Sequence, residues 1–163
     1  MTIESLMPSH WSDVRNIYAK GIATGNATFE TAIPEWEVWD KDHLKDLRFI
    51  AVVENRIAGW AALTAVSGRC IYIGVAEVSV YVDDEFAGKG IGTALLQKLI
   101  NESERSNIWT LQAGIFPENI ASIKMHEKSG FRTVGYREKI GKMNGVWRDT
   151  ILLERRSSKT GID

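Results

Sequence analysis

Apolar positions change period several times along the chain, and each change marks an element. Residues 76–82 (AEVSVYV) alternate apolar and polar and are rich in valine, which predicts a strand. From Thr93 onward, TALLQKLINESER spaces Leu95, Leu96, Leu99 and Ile100 as one helix face. Upstream, residues 2–6 predict a short strand. Residues 8–24 predict a helix with Val14, Ile17, Tyr18 and Ile22 on one face and Pro8 or Ser9 opening it. A loop over 25–31 leads to a second helical region over 34–47 that carries Trp36 and Trp39. Residues 49–54 and 57–66 read as a hairpin around Glu54-Asn55-Arg56. Downstream, residues 110–115 predict a strand, and residues 116–131 contain a helix begun at Asn119, Ala121 or Ser122. Gly130 fits the left-handed position that ends it. Residues 131–140 and 146–155 form a last hairpin, with Asn144-Gly145 as its turn signal. The polar residues 157–163 are expected to fray. The order is β-α-α-β-β-β-α-β-α-β-β in one domain, residues 1–156, with a short tail.

Between the strand at 76–82 and the helix that follows stand Gly88, Gly90 and Gly92, with Lys89 among them. A strand, a glycine-rich turn and a helix make an anion site. The first-turn N–H groups point at the turn, the helix dipole adds partial positive charge, and glycine lets the backbone approach the ligand. A phosphate-bearing ligand is expected here, against the plain alternative of a glycine-rich turn that binds nothing. The spacing excludes a Walker loop, because Asp83 and Gly90 occupy positions where Gly and Ser or Thr are needed. It excludes a dinucleotide fingerprint, because Thr93 replaces the third glycine and the strand at 108–115 ends without an acidic residue.

The remaining pattern, x-x-x-G-x-G/A, resembles the acetyl-coenzyme A pyrophosphate loop of the GCN5-related N-acetyltransferases, with Ala87 where that family usually has Gln or Arg. Residues 116–131 (FPENIASIKMHEKSGF) resemble the same superfamily's fourth-helix motif. Within the superfamily, three passages are similar to phosphinothricin and methionine sulfoximine N-acetyltransferases: Asn26-Ala27-Thr28-Phe29-Glu30, Glu77-Val78-Ser79-Val80-Tyr81-Val82 and His126-Glu127-Lys128-Ser129-Gly130-Phe131. The resemblance implies an α+β (mixed α/β) fold, a central mixed twisted sheet of about seven strands flanked by four helices. It also implies a homodimer, with the last hairpin near the shared region; Trp147 and the apolar run 150–153 are candidate interface material, and a core strand would read the same. It implies acetyl-CoA as cosubstrate, with the pantetheine arm along Val80, Tyr81 and Val82. The pyrophosphate then sits on Gly88, Lys89, Gly90, Ile91, Gly92 and Thr93. Asn119 faces the pantetheine arm and Ser122 a coenzyme phosphate, unless both are only helix caps.

The chemistry follows from what the reaction needs. Acetyl transfer to an amine requires the neutral amine, and a free α-amino group, of pKa about 7.7–8.0, is largely protonated at neutral pH. A nearby carboxylate can accept that proton. Glu77 is the candidate base, and strand alternation puts it with Ser79 and Tyr81 on one face. Its plain alternative is a solvated strand residue. The resemblance implies a bulge in the fourth strand and a splay beside it. There the N–H of Val80 would stabilise the oxyanion, while Val78 and Ile115 fill the core. His126 stands where many relatives carry a tyrosine, as the acid for the thiolate or as a structural histidine. An amino-acid substrate calls for an arginine fork. Arg69 is the first candidate, and Arg137 and Arg148 follow, each equally readable as surface charge. Phe29 and Trp147 could wall the pocket, and Val75 replaces a threonine that many members have.

Composition narrows the partners. The 163 residues are 44% hydrophobic and 25% charged with a net charge of −1. Nothing in that balance favours nucleic acid or an anionic membrane surface. No apolar run reaches membrane-spanning length, and the first ten residues have no signal-peptide pattern, so a cytoplasmic protein is expected. The one cysteine, Cys70, forms no internal disulfide and is expected to be buried. His10 and His43 have no ligand-spaced partners, so no metal site is expected. The amine itself is a small molecule of open identity. A polyamine, aminoglycoside or protein N-terminus, or a coenzyme-binding module without turnover, stays possible on these residues.

Overall fold

The computed structural model describes residues 1–163. In chain order the elements are β1 (Thr2–Ser5), α1 (Trp11–Ala23), α2 (Trp36–Asp42), β2 (Arg48–Val53), β3 (Arg56–Ala65), β4 (Val75–Val82) and α3 (Ile91–Arg105). Then follow β5 (Thr110–Ile115), α4 (Ile120–Lys128), β6 (Arg132–Met143) and β7 (Val146–Arg156). The strands make one seven-stranded sheet, ordered β1-β2-β3-β4-β5-β7-β6. Every neighbouring pair is antiparallel except β4 and β5.

Alternation along the central strands builds two cores. On one face Phe49, Ala51, Ala61 and Leu63 meet Leu95, Leu96, Leu99 and Ile100 of α3. On the other, Ile50, Trp60 and Ala62 meet Val14, Ile17 and Tyr18 of α1 and Trp39 of α2. The heptad-like spacing of α3 therefore buries a complete apolar stripe, each such side chain contributing about 1.5–3 kcal/mol. The second core is aromatic: Trp39 packs edge-on to Trp60 at 5.5 Å, and Trp60 stacks under Tyr81 at 4.7 Å and 17°.

Several boundaries differ from the sequence expectation for identifiable reasons. The second helix stops at Asp42 rather than continuing to 47, because His43 turns extended (ψ 142°) and Leu44 N–H donates to the Leu63 carbonyl at 2.8 Å. Tertiary pairing with β3 thus overrides helical propensity. Residues 8–10 form a separate 3-10 turn before α1. The helix expected from Thr93 begins two residues earlier, at Ile91. The last hairpin runs to Met143 and Val146, so only Asn144 and Gly145 (φ 49° and 80°) turn the chain, as a two-residue loop prefers. Cys70 is exposed, not buried, in a 3-10 turn over Cys70–Tyr72. Thr150 and Leu153, readable as interface or as core strand, are buried inside this chain.

The tail is docked rather than frayed. Ser157 is buried, and its hydroxyl donates to Glu104 Oε1 at 3.0 Å, where Arg155 Nη1 also donates at 3.0 Å. Arg156 donates to the carbonyls of Thr160, at 3.0 Å, and Gly161. Burial pushes the Glu104 carboxyl up, but Arg155, Ser157 and Lys159 outweigh it and hold it below its usual value. A carboxylate depressed in the folded state adds stability above its unfolded pKa and loses it as pH falls through the folded one. We expect Glu104→Gln to melt earlier than wild type at pH 7, with the gap closing below about pH 4, near the ordinary carboxylate pKa. Thermal scans across pH test this, and a gap independent of pH would contradict it.

Candidate active site

The β4–β5 contact is parallel and short: Val75↔Thr110, Ala76↔Leu111 and Glu77↔Gln112. Beyond Glu77 the two strands separate. On its other side β4 stays paired with β3 without interruption from Ala76 to Val82. The expected bulge in this strand is absent. The register runs unbroken, so the opening comes from divergence of β5 alone.

Divergence leaves backbone groups of β4 exposed in a defined direction. Asp83 N–H donates to the Ala58 carbonyl at 2.9 Å and Val66 N–H to the Val75 carbonyl at 3.3 Å. Odd-numbered residues of β4 therefore direct their amides to β3, and Val78, Val80 and Val82 direct theirs toward β5. Past the fork Val80 and Val82 have no strand to meet. An extended amide-bearing ligand could pair there as an added strand.

Side chains around the fork enclose a cavity of ≈ 310 Å³. Its lining comes from β4 (Glu77–Tyr81), β5 (Ala113–Ile115) with Phe116 after it, the loop after α1 (Ala27–Glu30), α4 with its cap (Asn119, Ser122, His126) and Thr150 of β7. Glu77 stands at the fork itself, and Gln112 Nε2 donates to its Oε2 at 3.0 Å. Phe29 packs edge-on against Phe116 at 4.8 Å. Tyr81 forms part of the floor. Burial first, then the neighbouring Tyr18, raise its phenol well above the ordinary range. Burial, seconded by Glu30, pushes Tyr18 up to about 12. Both are neutral hydroxyls at any physiological pH.

His126 has a defined tautomer. Its Nδ1 lies 2.7 Å from the Ser122 carbonyl, which can only accept, so the proton is on Nδ1. The other nitrogen, Nε2, is buried without a partner. Burial lowers the ring's pKa, partly opposed by the Ser122 carbonyl. At neutral pH the imidazole is therefore uncharged, and Nε2, on a residue that lines the cavity, carries a buried lone pair: a proton acceptor in the resting state.

The glycine turn has the expected shape. Gly88 and Gly90 have φ of +74° and +77°, and a Cβ built on either would meet no protein atom within 4 Å. Gly90 caps α3 directly, with no side chain between the helix's first N–H groups and solvent. Gly92 has a different task. A Cβ there would lie 2.8 Å from Met125 Sδ, so this glycine lets α3 and α4 approach. Lys89 leans its ammonium over Phe86 at 5.0 Å, and Thr93 is exposed in the first turn.

Other expected residues are distributed unevenly. Asn119 caps α4 by accepting from Ser122 N–H at 3.2 Å, and its Nδ2 donates to the Asn26 carbonyl at 3.2 Å. Arg69 is exposed on the β3–β4 connection over Tyr72, outside the cavity lining, as is Val75. Trp147 is exposed on the outer hairpin and also does not line the cavity. Arg148 is engaged within the chain, donating to the Gly25 carbonyl at 2.8 Å and Asn26 Oδ1 at 2.9 Å. Thr28, Glu30 and Thr150 also line the cavity, with no site role expected for them from the sequence. Thr150 had no signal, because its depth depends on β7 sitting beside β5. No three His, Cys, Asp or Glu side chains stand together as a metal would require. No helix is long and apolar enough to cross a membrane.

An open β4 edge, a glycine turn capping the next helix and a carboxylate at the fork define an acyl-coenzyme A transferase site. The family model for the acetyltransferase (GNAT) family matches residues 11–131. The chain is 31% identical to phosphinothricin N-acetyltransferase of Alcaligenes faecalis over 145 residues, 85% of this chain and 74% of the relative. It is 37% identical over 81 residues to an L-methionine sulfoximine/L-methionine sulfone acetyltransferase of Pseudomonas paraeruginosa, half of this chain and 47% of that one. A GNAT superfamily phosphinothricin acetyltransferase from Sinorhizobium meliloti, crystallised with acetyl-CoA, superposes with a TM-score of 0.89 at 24% identity. That match covers 99% of this chain and 91% of that one. The chain belongs to the GNAT family. It is an acetyl-CoA-dependent N-acetyltransferase.

Gly90→Val should abolish the thermal stabilisation that excess acetyl-CoA gives, because a β-branched residue is strained at φ +77° and fills the turn. The strain alone should cost about 1–3 kcal/mol of stability. An undiminished acetyl-CoA shift in this variant would put the coenzyme elsewhere.

Proposed function

We propose that this enzyme acetylates the α-amino group of a small amino acid or an analogue such as phosphinothricin or methionine sulfoximine. The observation that carries the reading is Glu77, a carboxylate at the mouth of the β4–β5 fork, in the same cavity lining as Val80, whose amide has no strand partner. Glu77 accepts a proton from the ammonium group, directly or through water, and frees the nitrogen lone pair. The Val80 N–H donates to the carbonyl oxygen as it gains charge. Val82 pairs with the pantetheine arm, and residues 88–93 hold the pyrophosphate at the start of α3. The second proton leaves nitrogen as the new amide forms. His126 Nε2 takes it and delivers it to the departing thiolate, so the ring ends neutral again. Glu77 then gives its proton to water, which restores the carboxylate and balances charge and protons.

A second reading has its own support. The cavity carries two carboxylates, Glu30 and Glu77, and its lining has no lysine or arginine. That composition suits an amine with further positive charge and no carboxylate. An amino-acid substrate would instead need a cation from elsewhere, and a homodimer supplies one route. Arg69 lies among exposed Ile71, Tyr72 and Ile73, and the outer hairpin exposes Tyr136, Ile140, Val146 and Trp147. Such apolar area is characteristic of a covered surface. Sedimentation at micromolar concentration should give twice the 18.3 kDa of one chain. A single-chain species alone would remove this route.

Acetyl-CoA consumption across phosphinothricin, methionine sulfoximine, ordinary amino acids, polyamines and aminoglycosides separates the two readings. Turnover of amino-acid analogues supports the first, and turnover of polyamines or aminoglycosides alone supports the second. With the preferred amine, Glu77→Gln should lower kcat/KM by roughly 10²–10⁴ while acetyl-CoA affinity holds. The loss should shrink as pH rises past the amine's pKa, where the free amine needs no base. A profile parallel to wild type, offset only in KM, would reduce Glu77 to an anchor for the ammonium group.

A further inference from the structure

We infer that Arg148 is a positioning residue for the amine pocket, a latch that fixes the loop between α1 and α2 as the cavity's outer wall. This rests on the reading of the cavity as the amine site. Residues 27–30 of that loop line the cavity, yet the loop has no regular secondary structure to hold it. Its hold comes from elsewhere. Arg148 lies on β7 two residues before Thr150, so strand alternation turns both toward the cavity side. Its Nη1 donates to the Gly25 carbonyl at 2.8 Å and its Nη2 to Asn26 Oδ1 at 2.9 Å. The guanidinium lies over the Phe116 ring at 4.0 Å, and Phe116 in turn packs on Phe29 of the same loop.

The side chain is only 15% exposed. Its nearest carboxylate, Glu118, is 3.3 Å away and itself 58% exposed, so it is a weak competitor for the guanidinium. Both terminal nitrogens are engaged by the loop, Nη2 also by Glu118, so Arg148 does not present its Nη1–Nη2 fork to a substrate carboxylate. The latch also reaches the catalytic side. The Asn26 carbonyl accepts from Asn119, which caps α4, and Ser122 in that cap accepts from His126. Asn26 is thus gripped by β7 through its side chain and by α4 through its backbone.

Arg148→Met keeps an apolar stem over Phe116 and removes the donors. If the wall then holds its position in about a tenth of molecules, KM for the amine rises about tenfold. Saturating amine restores kcat, and acetyl-CoA affinity, held chiefly by residues 88–93, changes far less than KM. Arg148→Lys should not restore KM, since one ammonium cannot span the Gly25 carbonyl and the Asn26 side chain together. The double variant Arg148→Met/Asn26→Ala should be no worse than Arg148→Met, and fully additive losses would overturn the latch. Amide exchange needs no substrate. Residues 24–30 should exchange faster in Arg148→Met while α3 keeps its protection. Unchanged exchange there overturns the proposal whatever amine is turned over. Losses in kcat and acetyl-CoA affinity at unchanged KM would overturn it as well.

Discussion

The parallel contact between β4 and β5 is three residue pairs long, and the site depends on its ending there. A parallel pair is normally buried on both faces and continues until a helix takes over. Here β5 is drawn away by β7, with which it pairs over its whole length, Thr110 to Ile115. The strand is satisfied on one side and leaves β4 on the other. The result is a slot of unpaired amides in the middle of a sheet, a feature a folding chain ordinarily avoids. It persists because both flanks are rigid: β4 is anchored to β3 without a break, and β5 to β7.

Much of this was legible in the sequence. The valine alternation of β4, the glycine turn and the apolar stripe of α3 are local signals, and each element appears within two residues of its expected start. Sequence separation hid the rest. The helix at 34–47 ends early because Leu44 pairs with Leu63, nineteen positions on, and no local pattern encodes that contact. The docked tail depends on Glu104, more than fifty residues upstream, and a polar composition alone reads as fraying. The absent bulge shows the limit of resemblance: the function of an open amide was implied, but divergence of a neighbour produces it.

At the candidate site the residue types were readable and their allegiances were not. Asn119, Ser122 and His126 lie three and four residues apart, on one face of two helical turns, and the structure brings them to the cavity together with Glu77 and Phe29. Arginine identity gave no such guidance. Arg69 points to solvent and Arg148 is consumed by backbone carbonyl and amide oxygens, because a guanidinium binds whichever oxygens the fold presents. The cavity that remains is acidic and aromatic. Its single imidazole is neutral because water is excluded from it, not because of a charged neighbour.

The stacked pair beneath the cavity has an optical consequence. Tyr81 lines the floor, Trp60 lies flat under it at 4.7 Å, and Trp39, Trp36 and Trp11 continue the contact at centroid distances of 5.5, 5.7 and 5.5 Å. Excitation absorbed by Tyr81 passes to the indoles, whose excited state lies lower, and does not return. Emission therefore comes from the tryptophans, and Trp60, one ring from the cavity, is the indole that a change in the cavity reaches first. The enzyme holds an unlabelled fluorophore array whose near end abuts the cavity.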